Sequence, residues 1–145
     1  METTARFDLP LLAVAQAAKE ITVNEALTAI DIAMQPVVEG ELATPPPSPV
    51  VGQSWLVAAG GTGAFAGRDD SIAAWTEGGW RFIESFEGMA AWRRDGSFVV
   101  RKSAAGWYSS TSVAVPSGGS IIDVEARMAI TAILMALRNH GLLAS

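Results

Sequence analysis

The chain has 145 residues, no cysteine and a formal net charge of −5, enough for one domain or for one domain with helical attachments. The lack of cysteine excludes disulfides, a thiolate nucleophile and zinc-finger chemistry. The acidic balance argues against nucleic acid, which needs a basic surface to displace counterions. Half of the residues are hydrophobic and 17% are charged, against about 25% charged in an average soluble chain. The longest apolar run, MAITAILMAL at 128–137, is about half the ~20 residues that a membrane helix requires, so membrane insertion is not expected. Apolar surface in such excess predicts burial between the subunits of a homo-oligomer. The opening METTARFDLP has no basic leader followed by an apolar stretch, and no cleaved signal peptide is expected.

Residues 7–42 read as an N-terminal helical segment. Asp8 is placed to cap a helix with Pro10 in its first turn, and LLAVAQAAKE (11–20) consists largely of good helix formers. Thr22 to Glu25 has the spacing of a capping box, so a second helix is expected from Val23. Ala26, Leu27, Ile30, Ala33 and Met34 then form an apolar stripe that ends before Pro36. The pattern leaves open whether residues 10–35 are one helix or two. Residues 43–49, ATPPPSP, predict a stiff polyproline strap.

Residues 50–108 change character. Short runs of strand formers alternate with glycine-bearing breaks, which predicts a small antiparallel β-meander joined by tight hairpins. Asp95-Gly96 suits a type I′ turn, and Gly78-Gly79 suits a turn that needs positive φ. The triplet Ala-Ala-Trp occurs at 73–75 and again at 90–92, with a looser echo ending at Trp107. Read as a repeat, each copy is a strand that brings one tryptophan to the same face. Residues 109–119 read as a flexible linker. Residues 120–143 read as a C-terminal amphipathic helix, capped at Ser120 or Asp123 and stopped at Gly141. Ile122, Ala126, Ala129, Ile133 and Ala136 fall at heptad spacing and are the candidate oligomer interface. A second apolar stripe runs through Ile130, Leu134 and Leu137. The whole is an α+β chain.

No catalytic, cofactor-binding or metal-ligating set emerges, and an enzyme is not expected. His140, the one histidine, sits where a cation favours the end of a helix. The glycine-rich stretch at 58–67 lacks the lysine of a phosphate loop. Asp69, Asp70, Glu84 and Glu87 fall in turns without partner ligands. Four of the five tryptophans lie between residues 75 and 107. Aromatic faces can stack on sugar rings, and Trp80 and Trp107, each directly after a glycine, are the candidate ligand-binding residues. Trp75 and Trp92 read as an inward row.

LPLLAVAQAAKEITVNEALTAID (9–31), the prolines at 46–49 with Gly52, TGAFAG (62–67) and IAAWTEGGWRF (72–82) together resemble a family of phage and gene-transfer-agent structural proteins. Phe65 stands where that family commonly has tryptophan, and Ser85-Phe86 replaces a frequent proline. The resemblance covers residues 7–108 and implies a virion component, the base or adaptor of a head spike or fibre involved in host attachment. It implies a trimer or pentamer assembled with other virion proteins, with host capsular polysaccharide as a possible ligand, and it supplies no catalytic residues. The C-terminal EARMAITAILMALRNHGLL (125–143) is similar to the terminal helix of phage fibre and spike proteins.

Overall fold

In the computed structural model, residues 2–13, 19–120 and 123–143 are described. The first helix, α1, spans Lys19–Ala33, so Thr22 to Glu25 lie inside a helix that has already begun, and the expected capping box starts nothing. Asn24 instead reaches sideways: its side-chain oxygen accepts from Leu12 N at 2.9 Å and its amide donates to Leu12 O at 3.0 Å. Asp8 and Pro10 do not open a helix either. Asp8 has a φ of 53°, Pro10 bridges Thr3, and residues 2–11 fold back on themselves alongside α1.

Asp31 is why the segment folds this way. It is 3% exposed, and its carboxylate accepts from Thr4 Oγ1 at 2.6 Å, Phe7 N at 2.8 Å and Arg6 N at 3.1 Å. A buried carboxylate needs such donors, and the N-terminal turn supplies all three. The Arg6 guanidinium donates to the carbonyls of Asp31, Ile32 and Gln35, satisfying the open C-terminal end of α1.

Eight strands follow: β1 (Val37–Val38), β2 (Glu41–Leu42), β3 (Ser54–Val57), β4 (Ile72–Thr76), β5 (Gly79–Ile83), β6 (Ala90–Arg93), β7 (Phe98–Ser103) and β8 (Gly106–Ser109). Residues 37–42 therefore leave the helical segment in which they were expected and supply the edge strands of two sheets. One sheet has the order β2-β3-β4-β5 and the other β1-β6-β7-β8. The one antiparallel meander expected over residues 50–108 is divided into two, each three-stranded and each extended by a parallel edge strand that was not expected. A parallel pair needs a connection that travels back along the strand. The proline strap does this between β2 and β3, and Ala43 O accepts from Thr62 N at 2.8 Å on the way.

The two sheets repeat in register. β3 faces Ala73 and Ala74 of β4 through Trp55 and Ser54, as β6 faces Val100 and Arg101 of β7 through Ala91 and Ala90. Thr76 pairs with Gly79 and Ser103 with Gly106, and Trp75–Trp80 corresponds to Lys102–Trp107. Both hairpins close alike: Thr76 Oγ1 donates to Gly79 O and Ser103 Oγ to Gly106 O. In each, the glycine before the tryptophan has positive φ, 94° and 124°, which excludes a side chain there. The true repeat is thus β4–β5 with β7–β8, and the Ala-Ala-Trp echo joins strands that are not equivalent. The third turn differs from expectation, since residues 94–97 form a four-residue loop in which positive φ falls on Ser97. Gly96 is required there because a Cβ would overlap the Phe98 ring.

The main core lies between the sheets and includes Leu56, Ile72 and Ala74 from one and Ala91 and Val100 from the other, closed by Val38, Met89 and Ile32 of α1. Alternation along a strand sends Trp75 and Trp92 away from this core, on opposite sides of the stack. Helix α2 spans Val124–Asn139. Asp123 caps it, accepting from Ala126 N at 2.9 Å. Gly141, at a φ of 66°, ends it, with Leu142 N reaching Leu137 O as in a Schellman motif. Of residues 109–119, expected to be a flexible linker, Ser109 ends β8, and two of the rest are bonded by α2: Arg138 Nη2 donates to Val113 O at 2.7 Å and Arg127 donates to Gly118 O.

Candidate functional site

The aromatic residues form one contact group on the outer face of the first sheet. Trp80 is its centre, with ring centroids 5.7 Å from Trp55, 5.0 Å from Phe65 and 5.1 Å from Trp75, all edge-to-face at 65–79°. Phe65 is fully buried. It rides on the glycine-rich loop 58–71 and covers Val57 and Ala73 beneath it. Stacking on a sugar needs an open, flat ring face, and mutually perpendicular half-buried rings do not combine into one. Trp107 is engaged elsewhere: its Nε1 donates to Asp70 O at 2.7 Å, beside Lys102 Nζ on the Asp70 carboxylate at 3.0 Å. Trp107 thereby ties the second sheet to the loop of the first. Trp75, Trp80, Trp92 and Trp107 are all half-buried, so the expected division into two turn-borne exposed rings and two inward ones is not what the fold produces. Trp55 is the most buried tryptophan, at 7% exposure, and its short run SWLV carries nothing that marks it.

The loop 58–71 holds no vacant anion cradle. The amides of Gly60 and Gly61, which would face a phosphate in a nucleotide loop, donate to Asp69 Oδ2 and Oδ1, each at 3.0 Å. These two hydrogen bonds hold the Asp69 carboxyl below the usual aspartate range. Three of the ten basic residues are paired with carboxylates. Arg93 bonds Asp95 and Glu41, Arg94 bonds Glu39, and Lys102 bonds Asp70. The Arg93 pKa is raised, chiefly by its hydrogen bond to Asp95. Among the described residues no three His, Asp or Glu side chains are grouped to hold a metal ion.

Two surfaces remain open. The first is α2. Ala126, Ala129, Ile133 and Ala136 of the expected seam are all exposed, while Ile122 lies outside the described residues. Ile133 is 58% exposed, and Met128 and Met135, on another side of the helix, are 68% and 59% exposed. The helix rests on the rest of the chain along a different line: Leu134 is buried, and Arg127, Thr131, Leu137 and Arg138 are half-buried. Gly141 anchors the end, because a Cβ there would overlap the Trp92 ring and its carbonyl accepts from Val99 N at 2.8 Å. The second surface is a cleft of about 320 Å³ between the N-terminal turn, α1 and the β4–β5 hairpin, lined in part by Glu25, Asp31, Glu77 and Arg81.

No curated protein matches this chain. A family described as "Protein of unknown function (DUF2793)" matches residues 23–108, from within α1 to the end of the second meander, and leaves out α2. That span is more than half of the 145 residues, and the chain belongs to the DUF2793 family.

Proposed function

We propose that the chain is a structural virion protein, a subunit at the base of a phage or gene-transfer-agent head spike or fibre that assembles with copies of itself through α2. The observation that carries this reading is the helix itself. A 16-residue helix is anchored to the second sheet at its C-terminal end through Gly141, while Ala126, Ala129, Ile133 and Ala136 of its heptad seam face solvent. Apolar surface left open in this way stabilises association when a second helix covers it. The virion setting rests on the motif resemblance of residues 7–108, not on the helix. The polysaccharide reading has less support, because Trp80 and Trp107 are engaged inside the fold.

Electron microscopy of particles from a strain lacking the gene tests the setting: vertex or tail projections should be missing, and unchanged particles refute it. Sedimentation of the purified chain tests the assembly. An oligomer that falls to monomers in Ile133→Asp with circular dichroism unchanged supports it, and a stable wild-type monomer refutes it.

A further inference from the structure

The cleft beside α1 lies at the lower end of the size range of small-ligand sites, roughly 300–1,000 Å³. Its polar lining divides into groups that the fold uses and groups that it does not. Thr4 and Asp31 bond each other, Asn24 holds Leu12, and Thr28 Oγ1 donates to Asn24 O. Ser54 Oγ donates to Val37 O and Thr76 Oγ1 to Gly79 O. The Arg6 guanidinium is held by the carbonyls at the end of α1. Three charged side chains are left, Glu25, Glu77 and Arg81, of which Arg81 donates to Trp80 O at 3.4 Å, and none takes part in the ion pairs of the described residues.

Arg81 stands over the β4–β5 turn, where a Cβ on Gly78 would lie 3.4 Å from its Nη2. Glu25 comes from the opposite wall, α1. Both also line a second space of about 210 Å³ together with Thr28 and Ile32, so they stand where the two spaces meet, with opposite charges and no contact. Between them the floor is apolar, with Ile32 and Ala74 buried and Val51 at the margin.

We propose that this cleft binds a small zwitterion of the free amino-acid type, its carboxylate on Arg81, its ammonium on Glu25 and an aliphatic side chain over Ile32, Ala74 and Val51. Guanidinium forks match carboxylates, and a carboxylate accepts from an ammonium. A simple anion would meet Arg81 but also face Glu25 and Glu77. A sugar would lack an open stacking face, because Trp75, although it lines the cleft, packs its ring edge-to-face against Trp80. The site stands apart from the α2 seam and does not depend on assembly.

Calorimetry on the full chain with leucine, N-acetylleucine, leucinamide and inorganic phosphate tests the proposal. Leucine should bind saturably below about 10 mM, and each blocked derivative at least about tenfold more weakly, the loss expected for one charge-assisted contact. Arg81→Ala should abolish leucine binding with its near-ultraviolet dichroism retained. Glu25→Gln should erase the preference for leucine over N-acetylleucine while leaving that over leucinamide. Arg101→Ala, in the second sheet, should bind as the parent does. Absence of saturable leucine binding, equal binding of the blocked forms, binding of phosphate alone, or an Arg81→Ala chain that still binds would each overturn it.

Discussion

Phe65→Ala tests whether the glycine-rich loop is a structural lid. Phe65 is 0% exposed and meets Trp80 and Phe82 edge-to-face at 5.0 and 6.0 Å. Truncating a buried phenylalanine to alanine costs about 3–5 kcal/mol, to which two edge-to-face pairs contribute about 0.5–1.5 kcal/mol each beyond simple area. The upper half of the range is expected here, because Trp80 is wedged between Trp55 and Trp75 and is poorly placed to collapse into the void. Against a typical total of about 5–15 kcal/mol this is a large fraction, and the melting temperature should fall by roughly 10–20 °C for a chain of this size. Urea unfolding followed by tryptophan emission measures it. Phe65→Leu, which keeps apolar volume but loses the ring edges, should lose only about 1–2 kcal/mol. A Phe65→Ala chain within about 1 kcal/mol of the parent would refute the lid. So would a full loss of stability with native tryptophan emission unchanged, since that places the contact elsewhere.

Asp31→Asn offers one acceptor oxygen where three donors now share two, and should cost about 2–3 kcal/mol, with faster hydrogen exchange at the Arg6 and Phe7 amides as the local readout. Asp69 has a pKa lowered by the Gly60 and Gly61 amides. Its contribution to holding the loop is complete above the unfolded value, roughly 3.9, and is lost as pH falls through the lower folded value. Exchange protection of those two amides should therefore be flat down to about pH 4 and drop below it, and Asp69→Asn should lower it at neutral pH. Gly141→Ala combines a left-handed φ with overlap on Trp92 and should cost about 2–4 kcal/mol. Calorimetric melting checks it, and a change under about 0.5 kcal/mol would contradict the anchor.

What the sequence made legible depends on the range of the interaction. The cap at Asp123, the stop at Gly141 and the hairpins around Gly79 and Gly106 rest on contacts within a few residues, and local patterns announce them. Asp8 and Thr22 misled because their local chemistry is also cap chemistry, while the donors of the N-terminal turn belong to Asp31, more than twenty residues away. β1 and β2 have two residues each, too few for any period to show, and their parallel partners lie far along the chain. The exposure of the tryptophans was illegible for a related reason: distant residues set it, Phe65 at Trp80, Asp70 at Trp107 and Gly141 at Trp92. The cleft could not be foreseen, since Glu25 and Arg81 come to line one space only once α1 is laid on the first sheet.

The register explains why both ends of the sheet stack needed extra chain. The second sheet turns Ala91 and Val100 inward, and their equivalents in the first, Trp55 and Ala73, face outward. The sheets therefore stack front to back, a heterologous arrangement that does not close on itself. Each end presents an uncovered apolar face, which invites another sheet. At one end the connection between β3 and β4, far longer than its counterpart between β6 and β7, folds over as the Phe65 lid. At the other, the chain returns after α2 to set Gly141 against Trp92. Anchoring the helix by its C-terminal end closes the stack, and it also leaves the seam from Ala126 to Ala136 directed outward. The same contact that covers the open face of the second sheet thus leaves the α2 seam facing solvent.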